Sequence, residues 1–168
     1  MIRLFCVVFL CILLVSCGVK VENQIPPELS LKKTTELFIV FYPTGWLTTP
    51  SVGGGINVYK PDKTITVPIS VFPYDEAKEN DLQSIKTLTD TLSKTKLADS
   101  ALTRISEREV SGRKAIWVES AFLDDRTTAF FLPLDGVVIS AMVMVPGMVK
   151  EGDIRIGRLI VENIRLVK

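Results

Sequence analysis

Residues 137–145 (VVISAMVMV) constrain the fold more than any other stretch, because they are apolar at both odd and even positions. A half-exposed strand alternates apolar and polar residues, whereas a short continuous apolar run is typical of a strand buried on both faces. Asp135-Gly136 precedes the run and predicts a two-residue hairpin turn of type I′, with both residues at positive φ. Pro146-Gly147 ends it. We therefore expect a central strand whose two faces are both covered.

The rest of the chain supplies neighbours for this strand. Short turns at Ser111-Gly112 and Asp124-Asp125-Arg126 join consecutive segments, which favours antiparallel pairing. Pro68 lacks a backbone N–H and predicts an edge position or a bulge for its own strand. The predicted strands are residues 36–42, 55–60, 64–72, 102–110, 113–123, 127–134 and 137–145, with a short final strand at Ile164-Arg165-Leu166.

Two segments have the 3–4 spacing of an amphipathic helix. Residues 81–96 follow a cap at Asn80 or Asp81 and share one apolar face, formed by Leu82, Ile85, Leu88, Thr89 and Leu92. Residues 149–162 have Asp153 as the predicted cap, with Ile154, Gly157, Ile160 and Val161 turned inward. The pattern predicts a single α+β domain, a mainly antiparallel β-sheet flanked by helices in an α/β/α sandwich.

The N-terminus has the form of an export signal. Arg3 is its one charge, and twelve apolar residues follow at 4–15, too few for a membrane-spanning helix of about 20 residues. Leu14-Val15-Ser16-Cys17 resembles the lipobox of bacterial lipoproteins, in which the Cys thiol takes a diacylglyceryl group. We expect cleavage after Ser16 and lipid attachment at Cys17. An ordinary signal peptide with a chance Cys near its end is the alternative.

These features divide the chain into three parts. Residues 1–16 form the signal peptide, residues 17–34 a lipidated N-terminus and tether, and residues 35–168 the domain. Leu29 and Leu31 leave an ordered arm open for the second half of the tether. Gly18 after the lipidated Cys favours, by resemblance to enterobacterial lipoproteins, the outer membrane facing the periplasm. In an organism with one membrane, the protein would sit on its outer face.

The amino-acid composition argues against several classes of function. The chain has 20 basic and 19 acidic residues, and only Arg3 lies in the signal, so the mature chain carries 19 of each. Zero net charge argues against a nucleic-acid partner. The absence of histidine removes the usual general base and the commonest zinc ligand. With Cys17 acylated, no thiolate or disulfide remains. We therefore predict no catalytic residue, no cofactor and no metal, and no enzymatic activity.

Several motifs resemble the PsbP/DcrB-like superfamily over residues 35–168. They are Phe41-Tyr42-Pro43-x-Gly45-Trp46, the helix at 81–96, Gly112-Arg113-x-Ala115, and Ile160-x-x-Asn163-Ile164-Arg165. The family often has Ser where Asn163 stands. The resemblance implies an α/β/α sandwich and a non-catalytic role as assembly factor, adaptor or chaperone-like binder. We interpret residues 42–46 as a strand end, a turn and a packed indole, and Trp117 as core. Gly53-Gly54-Gly55 lacks the Gly-Lys-Ser/Thr of a phosphate loop and is interpreted as a flexible turn.

Two functions follow as hypotheses. The first is a lipid-anchored envelope module that acts through an envelope protein partner. The second is a small-ligand or lipid-binding lipoprotein with a pocket between sheet and helix, suggested by Met142, Met144 and Met148. A deep apolar cavity would favour the second hypothesis, and a filled core with an exposed apolar patch the first.

Overall fold

The computed structural model describes residues 24–78, 81–83, 86–87, 104–122, 125–145 and 151–167. In these residues the backbone forms ten strands, and a helix precedes the last strand. The strands are β1 (Leu31–Thr34), β2 (Phe38–Tyr42), β3 (Leu47–Pro50), β4 (Ile56–Tyr59), β5 (Thr66–Pro73), β6 (Arg104–Val110), β7 (Arg113–Phe122), β8 (Asp125–Leu134), β9 (Val137–Val143) and β10 (Arg165–Leu166), and the helix is α1 (Glu151–Glu162).

The strands form two sheets. The smaller has the order β1-β2-β10 and the larger the order β3-β4-β5-β9-β8-β7-β6. Every pairing between these strands is antiparallel. β9 is the fourth of seven strands, and Val138 and Ile139, which point to opposite faces, are both fully buried. The predicted antiparallel sheet and its central strand are confirmed.

Two hairpin turns differ in their backbone conformation. Between β6 and β7, Ser111 and Gly112 both have positive φ, at 52° and 78°, as a type I′ turn requires. Between β8 and β9, Leu134 pairs with Val137, but only Gly136 has positive φ, at 74°. The hairpin is therefore confirmed and its predicted type is wrong. Gly136 donates its N–H to the Ala77 carbonyl and accepts from the Tyr74 N–H, both at 3.0 Å, so the neighbouring segment also holds this turn.

The prediction for Pro68 is wrong. β5 lies between β4 and β9 and is neither an edge nor bulged on the β4 side, where Pro68 pairs in register with Asn57. On the β9 side, Thr66 bonds Met144 in both directions and the continuous ladder resumes only at Ile69. Pro68 has the same parity as Thr66, so its missing N–H faces this interruption. A central strand accommodates the proline by a local gap in one ladder.

The start of β8 and the presence of two edge strands differ from the prediction. β8 begins at Asp125, paired with Phe122, so Asp125 and Arg126 belong to the strand rather than to the turn. The strands β1 and β3 were not predicted. Both lie at sheet edges and carry mostly exposed residues. An exposed edge strand lacks the apolar alternation on which the sequence reasoning relied.

α1 packs on one face of the large sheet and turns Ile154, Gly157, Ile160 and Val161 inward, as predicted. The helix already includes Glu151, so Asp153 lies in its first turn and is not its cap. Asp153 instead accepts a hydrogen bond from the Lys60 ammonium at 3.1 Å. A Cβ added at Gly157 would lie 2.6 Å from Val143 Cγ1, so helix and sheet meet here without a gap.

The segment before β1 is part of the fold. Leu29 is buried, Ile25 packs against the main core, and Glu28 pairs with Arg155 of α1 at 3.1 Å. β1 then pairs with β2 along its whole length. Within the predicted tether, residues 17–34, the described residues from Gln24 onward therefore form an ordered arm, the alternative left open for its second half.

The opposite face of the large sheet carries a second apolar cluster. It joins Ala77 and Leu82 to sheet residues Ile116, Val118, Ala129, Phe131 and Val138. Leu82, Gln83 and residues 86–87 are helical, and Asp81 caps this start by accepting the Gln83 N–H at 3.0 Å, as predicted. The remainder of the helix predicted over 81–96 lies outside the described residues. In the parts of the chain that the structure describes, no helix is long and apolar enough to cross a membrane.

Candidate functional site

A cleft of about 360 Å³ opens between the β6–β7 turn and the chain that leaves α1. Ser111 and Arg113 form one wall, and residues 162–167 form the other. The Ser111 hydroxyl donates a hydrogen bond to the Ile164 carbonyl oxygen at 3.0 Å, which ties the two walls together. The volume falls within the range of roughly 300–1,000 Å³ typical of small-ligand sites.

Local sequence chemistry positions both walls. Positive φ at Ser111 and Gly112 brings Arg113 to the start of β7. At the other wall, the Asn163 side-chain amide and backbone N–H both donate to the Leu159 carbonyl, at 2.8 and 3.1 Å, at the end of the helix. Ile164 is then fully buried and directs the chain into β10.

The cleft is lined by two arginines and one carboxylate. The carboxylate, Glu162, is paired with Arg108 at 3.2 Å, and the Arg108 guanidinium lies 4.5 Å above the Trp117 ring. The Arg165 guanidinium lies 5.5 Å from the centroid of Phe41. With Glu162 held by Arg108, Arg113 and Arg165 give the cleft a positive character that suits an anionic or polar group.

The cleft contains no assembled catalytic set. Ser111 is its one lining hydroxyl, and it donates to a backbone oxygen rather than to a base. A serine nucleophile needs a base within hydrogen-bond reach, and the Glu162 carboxylate is occupied by Arg108. Among the residues lining this cleft, no hydroxyl is therefore paired with a free base.

The carboxyl groups with a shifted pKa lie outside the cleft, and their pKa values are lowered, which is the wrong direction for an acid catalyst. A backbone N–H and then the Arg155 guanidinium hold the pKa of Glu28 below its ordinary value. The hydroxyl and N–H of Thr64 lower the pKa of Asp62, and the Lys86 ammonium at 2.6 Å lowers that of Glu107. A general acid near neutral pH needs a raised carboxyl pKa. These three groups are surface ion-pair or turn partners.

A second, more open depression of about 320 Å³ lies on the face of β3, β4 and β5 opposite α1. It is lined by Thr49, Asn57, Tyr59, Lys63 and Thr66. Its one side-chain amide, that of Asn57, already donates to the Pro50 carbonyl at 3.1 Å and approaches Thr49 Oγ1 at 3.4 Å. This amide is therefore already engaged within the fold.

The structure shows no cluster of metal ligands within the described ranges: no three of His, Cys, Asp and Glu lie close enough together to hold an ion. Two of the three methionines quoted for a ligand surface lie in the described residues. Met142 is half-buried in the second apolar cluster, Met144 is 47% exposed, and Met148 lies outside the described residues.

The turn after β2 has the structural role that we expected. Gly45 takes φ of +84°, the Trp46 N–H donates to the Pro43 carbonyl at 3.3 Å, and Trp46 packs partly against the core. Trp117 is buried in the core, as predicted. Cys17 lies outside the described residues.

The interpretation of Gly53-Gly54-Gly55 as a flexible turn is wrong. Val52–Gly54 forms a 3₁₀ turn packed on β5. A Cβ at Gly53 would overlap the Val71 carbonyl oxygen, and one at Gly55 would overlap that of Ile69. These glycines allow two backbones to come close together.

Sequence reasoning missed the cleft because its walls are about fifty residues apart in the chain. A signal was nevertheless present. Two of the motifs quoted for the family resemblance, Gly112-Arg113-x-Ala115 and Ile160-x-x-Asn163-Ile164-Arg165, supply Arg113 and residues 163–165 to the two walls. The structure brings these two motifs together, whereas the turn at 42–46 does not line the cleft.

No protein-family model matches the chain, and no curated protein matches it. Solved structures do match this chain in fold. The solution structure of cyanobacterial PsbP (CyanoP) from Synechocystis sp. PCC 6803 superposes with a TM-score of 0.53 at 9% identity, over 77% of this chain and 86% of that one. A crystal structure from Bacteroides thetaiotaomicron VPI-5482 gives a TM-score of 0.51 at 17% identity, over 78% of this chain and 45% of that one. This chain thus spans less than half of the Bacteroides protein. The likeness establishes the fold: the chain has a PsbP-like, mainly antiparallel α+β fold.

Proposed function

We propose that this chain is a lipid-anchored cell-envelope lipoprotein that acts as a non-catalytic protein-binding or assembly module. Its lipobox-like Leu14-Val15-Ser16-Cys17 supports the anchor, with acyl chains such as palmitate on Cys17. Two or more acyl chains give stable attachment, whereas one gives reversible binding. In an organism with two membranes, the domain would sit on the outer membrane and face the periplasm.

We further propose that the complete layering is the α/β/α sandwich. Support comes from the second apolar cluster on the sheet face opposite α1, where the described start of the 81–96 helix already contributes the buried Leu82. A continuation of that amphipathic segment would supply the apolar face that this side of the sheet needs.

The observation that carries the binding role is the close contact between α1 and the sheet. An added Cβ at Gly157 would lie 2.6 Å from Val143 Cγ1 and 3.6 Å from Ile65 Cγ2. Fully buried side chains, including those of Ile139 and Ile160, fill the space on either side. A ligand pocket between helix and sheet would need this layer to open, so the binding surface is on the outside of the domain.

The edge strand β6 is the surface best suited to a protein partner. It is the last strand in the order of the large sheet, runs for seven residues, and carries Ile105, which is 41% exposed. A strand edge offers a row of backbone groups to which an extended partner segment can add. Charged neighbours such as Glu107 and Arg108 limit indiscriminate edge-to-edge aggregation.

Site-specific photo-crosslinking in cells tests this function. A photo-reactive amino acid at Ile105 should yield a discrete crosslinked envelope protein, identifiable by mass spectrometry. The matched control is Val52, which is 73% exposed and lies next to β3 at the other edge of the sheet. Identical crosslinks at both positions, or none at Ile105, would contradict a partner surface on β6.

The alternative function is a small-ligand or lipid-binding envelope lipoprotein. The cleft of about 360 Å³ with Arg113 and Arg165 favours it. Native mass spectrometry of the chain extracted from its own cells would show a bound small molecule that disappears in Arg113→Gln. An unliganded chain, together with a crosslinked protein at Ile105, would favour the protein-binding role.

A further inference from the structure

The small sheet has an outer face opposite its fully buried side chains, although Phe41 on this face still packs partly against the main core. In β2, Phe38 and Val40 are fully buried, so Ile39 and Phe41 point to the opposite side. The strand register places Lys32 opposite Phe41 and Arg165 opposite Ile39. The Val167 N–H bonds the Leu37 carbonyl at 2.9 Å, which extends the same face by one more pair. We call this surface, formed by Lys32, Leu37, Ile39, Phe41, Arg165 and Val167, the outer sheet face.

The outer sheet face combines exposed apolar groups with cations. Leu37 is 36% exposed and Val167 41%, and Ile39 and Phe41 are half-buried between them and the basic residues. The Arg165 guanidinium covers part of the Phe41 ring at 5.5 Å.

The two basic residues of the face lie on different strands, Lys32 on β1 and Arg165 on β10, at either side of β2. Cations on both sides of an apolar strip complement an anionic surface.

The predicted anchor limits how far the start of the domain can lie from a membrane. Six residues, 18–23, separate Cys17 from Gln24, the first described residue. Seven extended Cα–Cα steps span at most about 25 Å. From Gln24 the chain is fixed to the domain by the buried Leu29 and enters the small sheet at Leu31. If Cys17 is acylated, Gln24 is held within this distance of the bilayer, and the small sheet begins seven residues further along the chain.

We propose that the outer sheet face rests on an anionic lipid surface. Leu37 and Val167 enter the interfacial region, and the Lys32 and Arg165 cations pair with headgroup phosphates. Apolar side chains flanked by basic ones are the combination that binds membrane interfaces. The inference rests on the proposed function only through the Cys17 anchor, and it leaves the β6 edge directed to a partner.

Depth-dependent fluorescence quenching tests the contact. The full lipidated chain would carry an environment-sensitive dye on a single introduced cysteine, at Val167→Cys or Leu37→Cys. It would be reconstituted in vesicles of phosphatidylcholine and phosphatidylglycerol that contain a nitroxide-labelled lipid. The dye at either position should shift to the blue and lose most of its emission. The dye at Val52→Cys, a more exposed site, should do neither. Equal quenching at all three positions, or quenching at none, would overturn the proposal.

A charge reversal separates lipid contact from an altered fold. Lys32→Glu lies on an exposed edge strand and should leave the circular dichroism spectrum unchanged while restoring emission at position 167. The matched control Lys78→Glu, on an exposed residue outside the small sheet, should leave the quenching intact. Quenching that survives Lys32→Glu and replacement of phosphatidylglycerol by phosphatidylcholine would contradict recognition of an anionic surface.

Fatty-acid incorporation at Cys17 measures the lipid anchor separately from the contact of the outer sheet face with lipid. Missing acylation would defeat the proposed anchor, and the same dye-labelled chains added to preformed vesicles would still decide the contact. Quenching under those conditions supports the lipid-facing surface, and its absence refutes it.

Discussion

Gly157→Ala tests the close contact between α1 and the sheet, on which the external binding surface depends. In an isolated helix this change stabilises by about 1 kcal/mol, because alanine loses less backbone entropy than glycine. Here the new methyl group would lie 2.6 Å from Val143 Cγ1, a contact that requires something to move. Val143 is buried on the central strand, and its branched side chain has few rotamers.

The gain in helix propensity and the cost of overpacking oppose each other. Overpacking a well-filled core costs about 1–3 kcal/mol. After the helix gain is subtracted, we expect a net loss of about 1 kcal/mol, or roughly 2–4 °C in Tm for a domain of this size. Gly152→Ala is the matched control, since an added Cβ there has nothing within 4 Å, and it should be neutral or stabilising.

A double-mutant cycle measures the coupling between Gly157 and Val143 directly. In a Val143→Ala background the obstructing methyl groups are gone, so Gly157→Ala should become stabilising by up to about 1 kcal/mol. Urea unfolding of a shortened chain that begins at Gln24 gives the free energies of unfolding. If Gly157→Ala stabilises the parent chain as well as the Val143→Ala chain, helix and sheet are not in close contact and an internal pocket becomes tenable.

Three further predictions address other parts of the fold. Gly53→Ala should destabilise the fold by well over the cost of about 1–2 kcal/mol for a left-handed non-glycine residue, because its methyl group would overlap the Val71 carbonyl oxygen. The control Gly54→Ala is also at positive φ but has open space around it, so it should cost only that amount. Equal urea midpoints for the two variants would contradict the packed turn. The pKa of Glu28 is lowered in the folded chain, so its ionised form stabilises the fold at neutral pH, and this contribution is lost as the pH falls through its folded pKa, below the ordinary 4.5. Glu28→Gln should therefore lower Tm at pH 7, and the difference from the parent should vanish in acid; a difference that grows on acidification would refute the sign. EDTA should leave the Tm of the parent unchanged, and a shift beyond error would indicate a structural metal.

The elements recovered from the sequence are those whose burial is regular. β9 is apolar on both faces and occupies the centre of the sheet, and the buried positions of α1 fall at the 3–4 spacing that predicted them. In both cases a local pattern directly reflects the tertiary environment.

The missed features depend on neighbours distant in sequence. All four residues of β1 are exposed, and the strand forms because it pairs with β2, so its own residues carry no apolar period. Pro68 is tolerated in a central strand because one ladder opens beside it, and the triglycine is required by the approach of β5. The cleft likewise depends on Ser111 and Ile164 meeting across the fold.

Fatty-acid labelling of Cys17 tests the lipid anchor directly. Cells that express the chain would be supplied with a clickable fatty acid, with Cys17→Ser as the comparison. We predict label on the parent chain alone, and a Cys17→Ser chain that accumulates as the longer, unprocessed precursor. Equal label on both chains, or label on neither, would contradict the lipid-anchored envelope protein proposed here.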